Sequence, residues 1–220
     1  NNLKIKSFFP NIVKKINFLD QKLEIEYKKN DFAIKGSGNI LLQDQKDQIN
    51  YMVNIKNNIL NFDTLLEVKE NSLILDILDY EKDINNNATI KIKGSRKLDN
   101  KIKFDLISLE EKNNKIIFQN LLLDENSKII NLDNANFNFL DRTGNNNKFD
   151  IKRKNNDYYL QGSILNADNL IENLIKNDDD SSFKFLDKKI KIFVKIEDLL
   201  LDKNYKLENF EGNLSLKNQE

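Results

Sequence analysis

Apolar and polar residues alternate with a period of two along most of the chain, the pattern of strands that bury one face. Leu23, Ile25 and Tyr27 alternate with charged residues, Phe32 and Ile34 run into Gly36, and Ile49, Tyr51, Val53 and Ile55 alternate with Asn and Met. The same pattern holds for Ile90 and Ile92 before Gly94, for Ile102, Phe104 and Leu106, and for Ala135, Phe137 and Phe139. Phe149 and Ile151 follow a turn at Thr143-Gly144-Asn145, Ile190, Ile192, Val194 and Ile196 form another run, and Leu214 and Leu216 close the chain. Polar clusters separate these runs, among them Asn85-Asn86-Asn87, Lys112-Asn113-Asn114 and Gly144-Asn145-Asn146-Asn147. Asn tolerates left-handed backbone geometry, so the clusters predict tight turns between antiparallel strands.

Two segments depart from this pattern. Leu170, Ile171, Leu174 and Ile175 stand at helical spacing and predict a short helix over 167–177, capped by Asn166 or Asp168. The run Asp178-Asp179-Asp180 would sit badly against a helix C-terminus, so it is expected to leave the helix as a loop. A second short helix is expected from Pro10, with Ile12, Val13 and Ile16 on one side. A weak repeat joins Phe32–Ser37, Ile90–Ser95 and Tyr158–Ser163, with Phe210–Leu214 as a looser copy, at spacings of roughly 50 to 70 residues. Each copy carries Gly within a strand, which predicts bulges or bends. The predicted fold is mostly β: an elongated, curved antiparallel sheet, a repeating β-groove or half-pipe, with one short helix near 167–177.

Composition removes several chemistries. Apolar residues make up 39% and charged residues 32% of the 220 positions, enough for a core but not a large one. Lys plus Arg number 35, as do Asp plus Glu. That balance, with no dense basic block, argues against a nucleic-acid partner. The chain has no His and no Cys, which removes Ser-His and Cys-His nucleophilic pairs, thiol redox chemistry and zinc sites built on those residues. Carboxylate pairs remain, but the doublets Glu110-Glu111 and Asp124-Glu125 would point to opposite faces of a strand. Asp178–Asp180 lacks the spacing, glycine and distal Glu of a calcium loop. Gly36, Gly94 and Gly162, each followed by Ser, lack the helix-opening context of a phosphate-binding loop. The expectation is no enzyme, no metal and no cofactor. No apolar run is long enough to span a bilayer. The helix at Leu170–Ile175 is short and not basic, so packing on the sheet suits it better than lying on a membrane. The chain begins at Asn1, and the expectation is a piece of a longer protein whose membrane contacts lie outside it.

The order of features in the C-terminal third resembles the AsmA-like proteins of Gram-negative bacteria, in particular their large YhdP-type members. The residues that carry the likeness run from Phe149-Asp150-Ile151 through Tyr159-Leu160-Gln161-Gly162-Ser163, Ala167-Asp168 opening a helix and the acidic loop, to the strand Ile190–Ile196 and Tyr205–Leu214. The likeness covers about residues 130–220, while 1–130 fits as generic repeating strands; the two regions are expected to form one continuous unit. The resemblance implies a periplasmic, inner-membrane-anchored protein whose apolar groove shields acyl chains of phospholipid, or another acyl-chain lipid, passing between inner and outer membranes. It supplies no catalytic residues. Groove candidates follow from strand parity: Ile90, Ile92, Ile102, Phe104, Phe137, Phe139, Phe149, Ile151, Ile190, Ile192, Val194, Ile196, Leu214 and Leu216. Alternation looks the same in a closed core, so two other readings stay open. One is a structural or adhesive extracytoplasmic β-solenoid with a closed core, and the other a periplasmic scaffold that binds partners by strand addition.

Overall fold

The computed structural model describes residues 16–29, 31–97, 101–126, 128–175 and 190–216. The expected helix at Pro10 and the acidic run at 178–180 lie outside them. The long strands are β1 (Asn17–Lys28), β2 (Asp31–Leu41), β3 (Lys46–Lys56), β4 (Ile59–Val68), β7 (Ala88–Arg96), β8 (Ile102–Glu111), β9 (Asn114–Leu123), β10 (Ile129–Leu140), β11 (Asn146–Lys154), β12 (Asp157–Asn166), β13 (Ile190–Leu200) and β14 (Lys206–Leu216). They form one 12-stranded sheet in chain order, curved and not closed into a barrel. Two short strands, β5 (Leu73–Leu75) and β6 (Tyr80–Lys82), make a separate hairpin between β4 and β7, with a 3-10 turn at Asp76–Leu78. The one α-helix among the described residues, α1, spans Asp168–Ile175. Because β9 and β10 pair, the two regions on either side of residue 130 share one sheet.

Local chemistry explains the meander. Asn57 and Asn58 both adopt positive φ, 50° and 60°, which is the two-residue turn that matches strand twist in a hairpin. Lys112 and Asn155 hold the same conformation in the turns after β8 and β11. Every neighbouring pair in the large sheet is antiparallel except β12 and β13, which are parallel. A parallel neighbour needs a crossover connection; here the chain leaves β12 through α1 and re-enters at the opposite end.

The alternating strands therefore give the sheet two ends. One carries the β2–β3, β4–β7, β8–β9, β10–β11 and β13–β14 connections, and α1. The other carries the β1–β2, β3–β4, β7–β8, β9–β10 and β11–β12 connections. At the first end the sheet must roll up. Gln43, after β2, donates its side-chain N–H to the carbonyl of Ser72 at 3.0 Å, and Asn169 in α1 donates to the carbonyl of Asp76. Ser72 and Asp76 lie four residues apart, about 14 Å when extended, whereas β2 and β12 lie eight strand steps apart, about 38 Å on a flat sheet. Only a sheet curled around an axis along its strands satisfies both contacts.

Bulges assist the curl. Register shifts occur at Leu19/Lys22, Lys93/Gly94, Ile129/Asn131 and Lys148/Phe149. Gly94 and Gly162 sit at two of them, as the repeat predicts. A Cβ on Gly94 would lie 2.2 Å from the carbonyl oxygen of Lys103, and one on Gly162 2.3 Å from that of Lys148, so no side chain fits there. Gly36 has no shift; the Tyr51 ring covers it instead. The shift beside Gly94 also corrects the expected alternation of β8. Leu106 pairs with Lys93 on the polar face, and Ile107, opposite Ile92, takes the inward place.

Candidate functional site

Cross-strand partners place one apolar face on the inside of the curl. The row Ile49, Leu66, Ile90, Leu109, Ile116, Phe137 and Phe149 crosses seven strands as successive partners. A second row runs through Val53, Phe62, Gly94, Phe104 and Leu121. The opposite face is polar and carries ion pairs such as Lys93–Asp63, Lys115–Glu110 and Lys195–Glu211. Among the described residues the inner face is thus the continuous apolar surface of the sheet.

At the first end this face is closed. The hairpin β5–β6 lies across it, with Leu73, Tyr80 and Lys82 wholly buried. Burying Leu73 alone contributes about 2 kcal/mol. Tyr80 packs edge-on against Phe139 with ring centroids 5.8 Å apart. Its hydroxyl donates to Oε2 of Glu111 at 2.8 Å, which also accepts from Asn114 Nδ2 at 2.9 Å. Burial, then the Glu111 carboxylate, push the Tyr80 pKa far above its ordinary value. Lys82 donates to the carbonyls of Lys69 and Asn71. Burial lowers its pKa, opposed by the carboxylates of Asp47 and Glu111. Asp47 accepts the backbone N–H groups of Lys69 and Glu70 at 2.7 and 2.9 Å and the Asn71 amide at 2.7 Å. On the far side Arg142 Nε donates to Asp79 Oδ1 at 2.6 Å. Every buried ionic group here is thus fixed by hydrogen bonds, as burial of charge demands.

A second polar knot ties the β10–β11 turn to the end of β12. Asp141 accepts from Thr143, the backbone of Asn145, Asn147 and Asn166. Burial raises its pKa, but these bonds together outweigh burial and hold the carboxyl below the usual range. Glu110 and Glu111 face opposite ways: Glu110 pairs with Lys115 outside and Glu111 holds Tyr80 inside. Among the described residues no three acidic side chains converge into a metal site.

Toward the second end the inner face is mixed, with Leu121, Leu123, Leu132 and Ile190 still buried beside residues that are less so. Tyr51, Val53, Phe62, Ile92, Phe104, Ile107, Phe118, Ile151, Leu160 and Ile192 are half-buried. On the flanking strands exposure rises further: Leu23 is 53%, Ile25 61% and Tyr27 78% exposed, and Leu214 48%. Among the described residues β1 and β14 are the two edge strands of the sheet and do not pair with each other.

The structure puts the sequence candidates on this one face and separates them by depth. Ile92, Ile102, Phe104, Ile151, Ile192 and Leu214 line its accessible part. Ile90, Phe137, Phe139, Phe149, Ile190, Val194 and Ile196 are buried, so as accessible lining they are corrected: parity selects the face but is blind to what covers it. Leu216 pairs with Ile190 through the backbone, and its side chain lies outside the described set. Sequence reading missed Phe62, Ile107 and Leu160. Phe62 and Leu160 stand in short alternating stretches (Leu60-Asn61-Phe62, Tyr158-Tyr159-Leu160), a signal that was present. Comparison of the chain with known protein families, curated proteins and solved structures finds no match.

Proposed function

We propose that this chain is a lipid-handling trough: a segment that shields acyl chains on its apolar inner face while the headgroup stays in water at the open end. The observation that carries this reading is a single continuous apolar face, covered by the hairpin at one end and carrying half-buried Phe62, Phe104, Ile151 and Leu160 toward the other, beside buried Leu121, Leu123 and Leu132. Backbone donors and acceptors on these strands are consumed by the sheet, so the face offers shape and apolar area but few hydrogen bonds. An acyl chain asks for nothing else. Each methylene kept from water contributes about 0.8 kcal/mol, so a dozen amount to about 10 kcal/mol before ordering costs. The hairpin across one end means that chains enter from the open end or past the edge strands β1 and β14, rather than passing from end to end. The likeness of residues 130–220 to AsmA-like proteins favours a periplasmic location and a cargo of phospholipid moving between inner and outer membranes.

Strand addition is favoured by one separate observation. β1 is an edge strand whose inward Leu23, Ile25 and Tyr27 stay largely exposed, and a further strand beside it would cover them.

Adjacent strand residues face opposite ways, which gives a parity test. A photoreactive side chain placed at Phe62 or Leu160 is expected to label bound phosphatidylglycerol, and one at the neighbouring Asp63 or Gln161 is not. Equal labelling of both sets, or none at the inward positions, refutes the trough.

A further inference from the structure

The balanced net charge of the chain conceals a strong polarity between the two ends of the sheet. The connections at the open end (residues 28–31, 56–59, 96–102, 124–129 and 153–157) contain, among the described residues, nine cations (Lys28, Lys29, Lys56, Arg96, Lys97, Lys101, Lys128, Arg153, Lys154) and four acids (Asp31, Asp124, Glu125, Asp157). At the closed end, residues 42–47, 68–88, 111–114, 141–146, 166–172 and 201–205 contain twelve acids and six cations. Lys28, Lys29, Lys56, Lys97 and Lys154 are exposed.

Apolar side chains accompany these cations. Tyr27, 78% exposed, precedes Lys28 and Lys29, and Ile55, 39% exposed, precedes Lys56. On the inner face of the same end stand Arg96 and Arg153, opposite Ile102 and Tyr158. The Nε of Arg153 is buried without a hydrogen-bond partner.

We propose that the open end is a docking surface for an anionic lipid bilayer. Lysines contact the headgroups, Tyr27 and Ile55 enter the interface between headgroups and acyl chains, and Arg153 meets the headgroup of a lipid whose tails lie in the trough. Basic residues interleaved with exposed apolar ones are the chemistry of a membrane surface, and the acidic closed end turns the opposite way by repulsion. A polyanion such as nucleic acid would satisfy the lysines but leave the apolar rim and the inward Arg153 unused. This surface makes the open end the entrance, and so builds on the trough reading.

Vesicle flotation tests it, with phosphatidylcholine vesicles containing or lacking phosphatidylglycerol, at low and high salt. The rim variant carries Lys28→Glu, Lys29→Glu, Lys56→Glu and Lys97→Glu. The control carries Lys35→Glu, Lys91→Glu, Lys93→Glu and Lys148→Glu, exposed on the outer face and equal in net charge. Each cation near an anionic surface accounts for about fivefold in partitioning, so the rim variant is expected to lose more than about a hundredfold. The control should retain most binding, and high salt should release the wild type. Equal losses in both variants, equal binding to vesicles lacking phosphatidylglycerol, or binding of the rim to duplex DNA in place of vesicles each overturn the proposal. Uptake of a dispersed fluorescent fatty acid, measured in parallel, separates the two readings: wild type that floats but takes up no fatty acid retains the dock and loses the trough.

Discussion

Replacing Tyr80 with phenylalanine removes one oxygen atom from the closed end and leaves the ring in place against Phe139. The oxygen lost is the donor 2.8 Å from Glu111 Oε2, and both side chains are buried. Asn114 still reaches that carboxylate at 2.9 Å, so Glu111 is weakened in its partners rather than orphaned. A hydrogen bond to a buried charge contributes about 1.5–3 kcal/mol, and the expected loss is about 2 kcal/mol. With a urea m-value of about 3 kcal/mol/M for a chain of this size, the unfolding midpoint should fall by about 0.7 M at unchanged slope. Tyr80→Ala also empties the ring's place and should cost about 3–5 kcal/mol. The Tyr80 pKa is raised, so the hydroxyl stays a donor at any pH convenient for the assay. If neither variant moves the midpoint by more than about 0.2 M, the hairpin is not part of the cooperative core, and the closed end is not closed in the way its contacts describe.

Three further outcomes follow from the same geometry. Leu160→Asp, at a half-buried inward position, should leave a folded protein with lipid labelling abolished, whereas Val194→Asp, inside the core, should cost about 3 kcal/mol or more and unfold the domain; circular dichroism with the photolabel separates them, and identical behaviour would mean that depth does not partition the face. Gly162→Ala should cost about 1–3 kcal/mol, because its Cβ would meet the Lys148 carbonyl oxygen and the strands would have to separate; Gly144→Ala, at φ +84° with open space around it, should cost only about 1 kcal/mol in the same denaturation assay. Asp141 has a folded pKa below its ordinary value, so its contribution is fully present above the ordinary carboxylate pKa and is lost as pH falls through the folded value; Asp141→Asn should flatten the acid limb of the stability profile, and an unchanged limb would assign acid sensitivity elsewhere.

The strands were legible because period-two alternation needs only one buried face, and the inner rows from Ile49 to Phe149 show that cue in sequence. Helix α1 was legible from four apolar positions at helical spacing. The parallel pairing of β13 was not, since a run such as Ile190–Ile196 reads the same in either direction. The hairpin was invisible for a different reason: Leu73-Ile74-Leu75 has no alternation, and Lys82 reads as a surface residue until the carbonyls of Lys69 and Asn71 are seen around its ammonium group. Leu106 was misplaced because a bulge reverses parity without leaving a mark in composition. The polarity between the ends was hidden by the equal totals of acidic and basic residues, which the topology alone sorts into two rims.

Whether the inner face holds acyl chains is tested most directly by native mass spectrometry of the chain purified without strong detergent. Adducts in the mass range of a phospholipid are expected, displaced by added fatty acid and lost in Leu160→Asp. A bare polypeptide mass, unchanged after incubation with phosphatidylglycerol or palmitate, would contradict the trough reading and leave a structural sheet with a closed core.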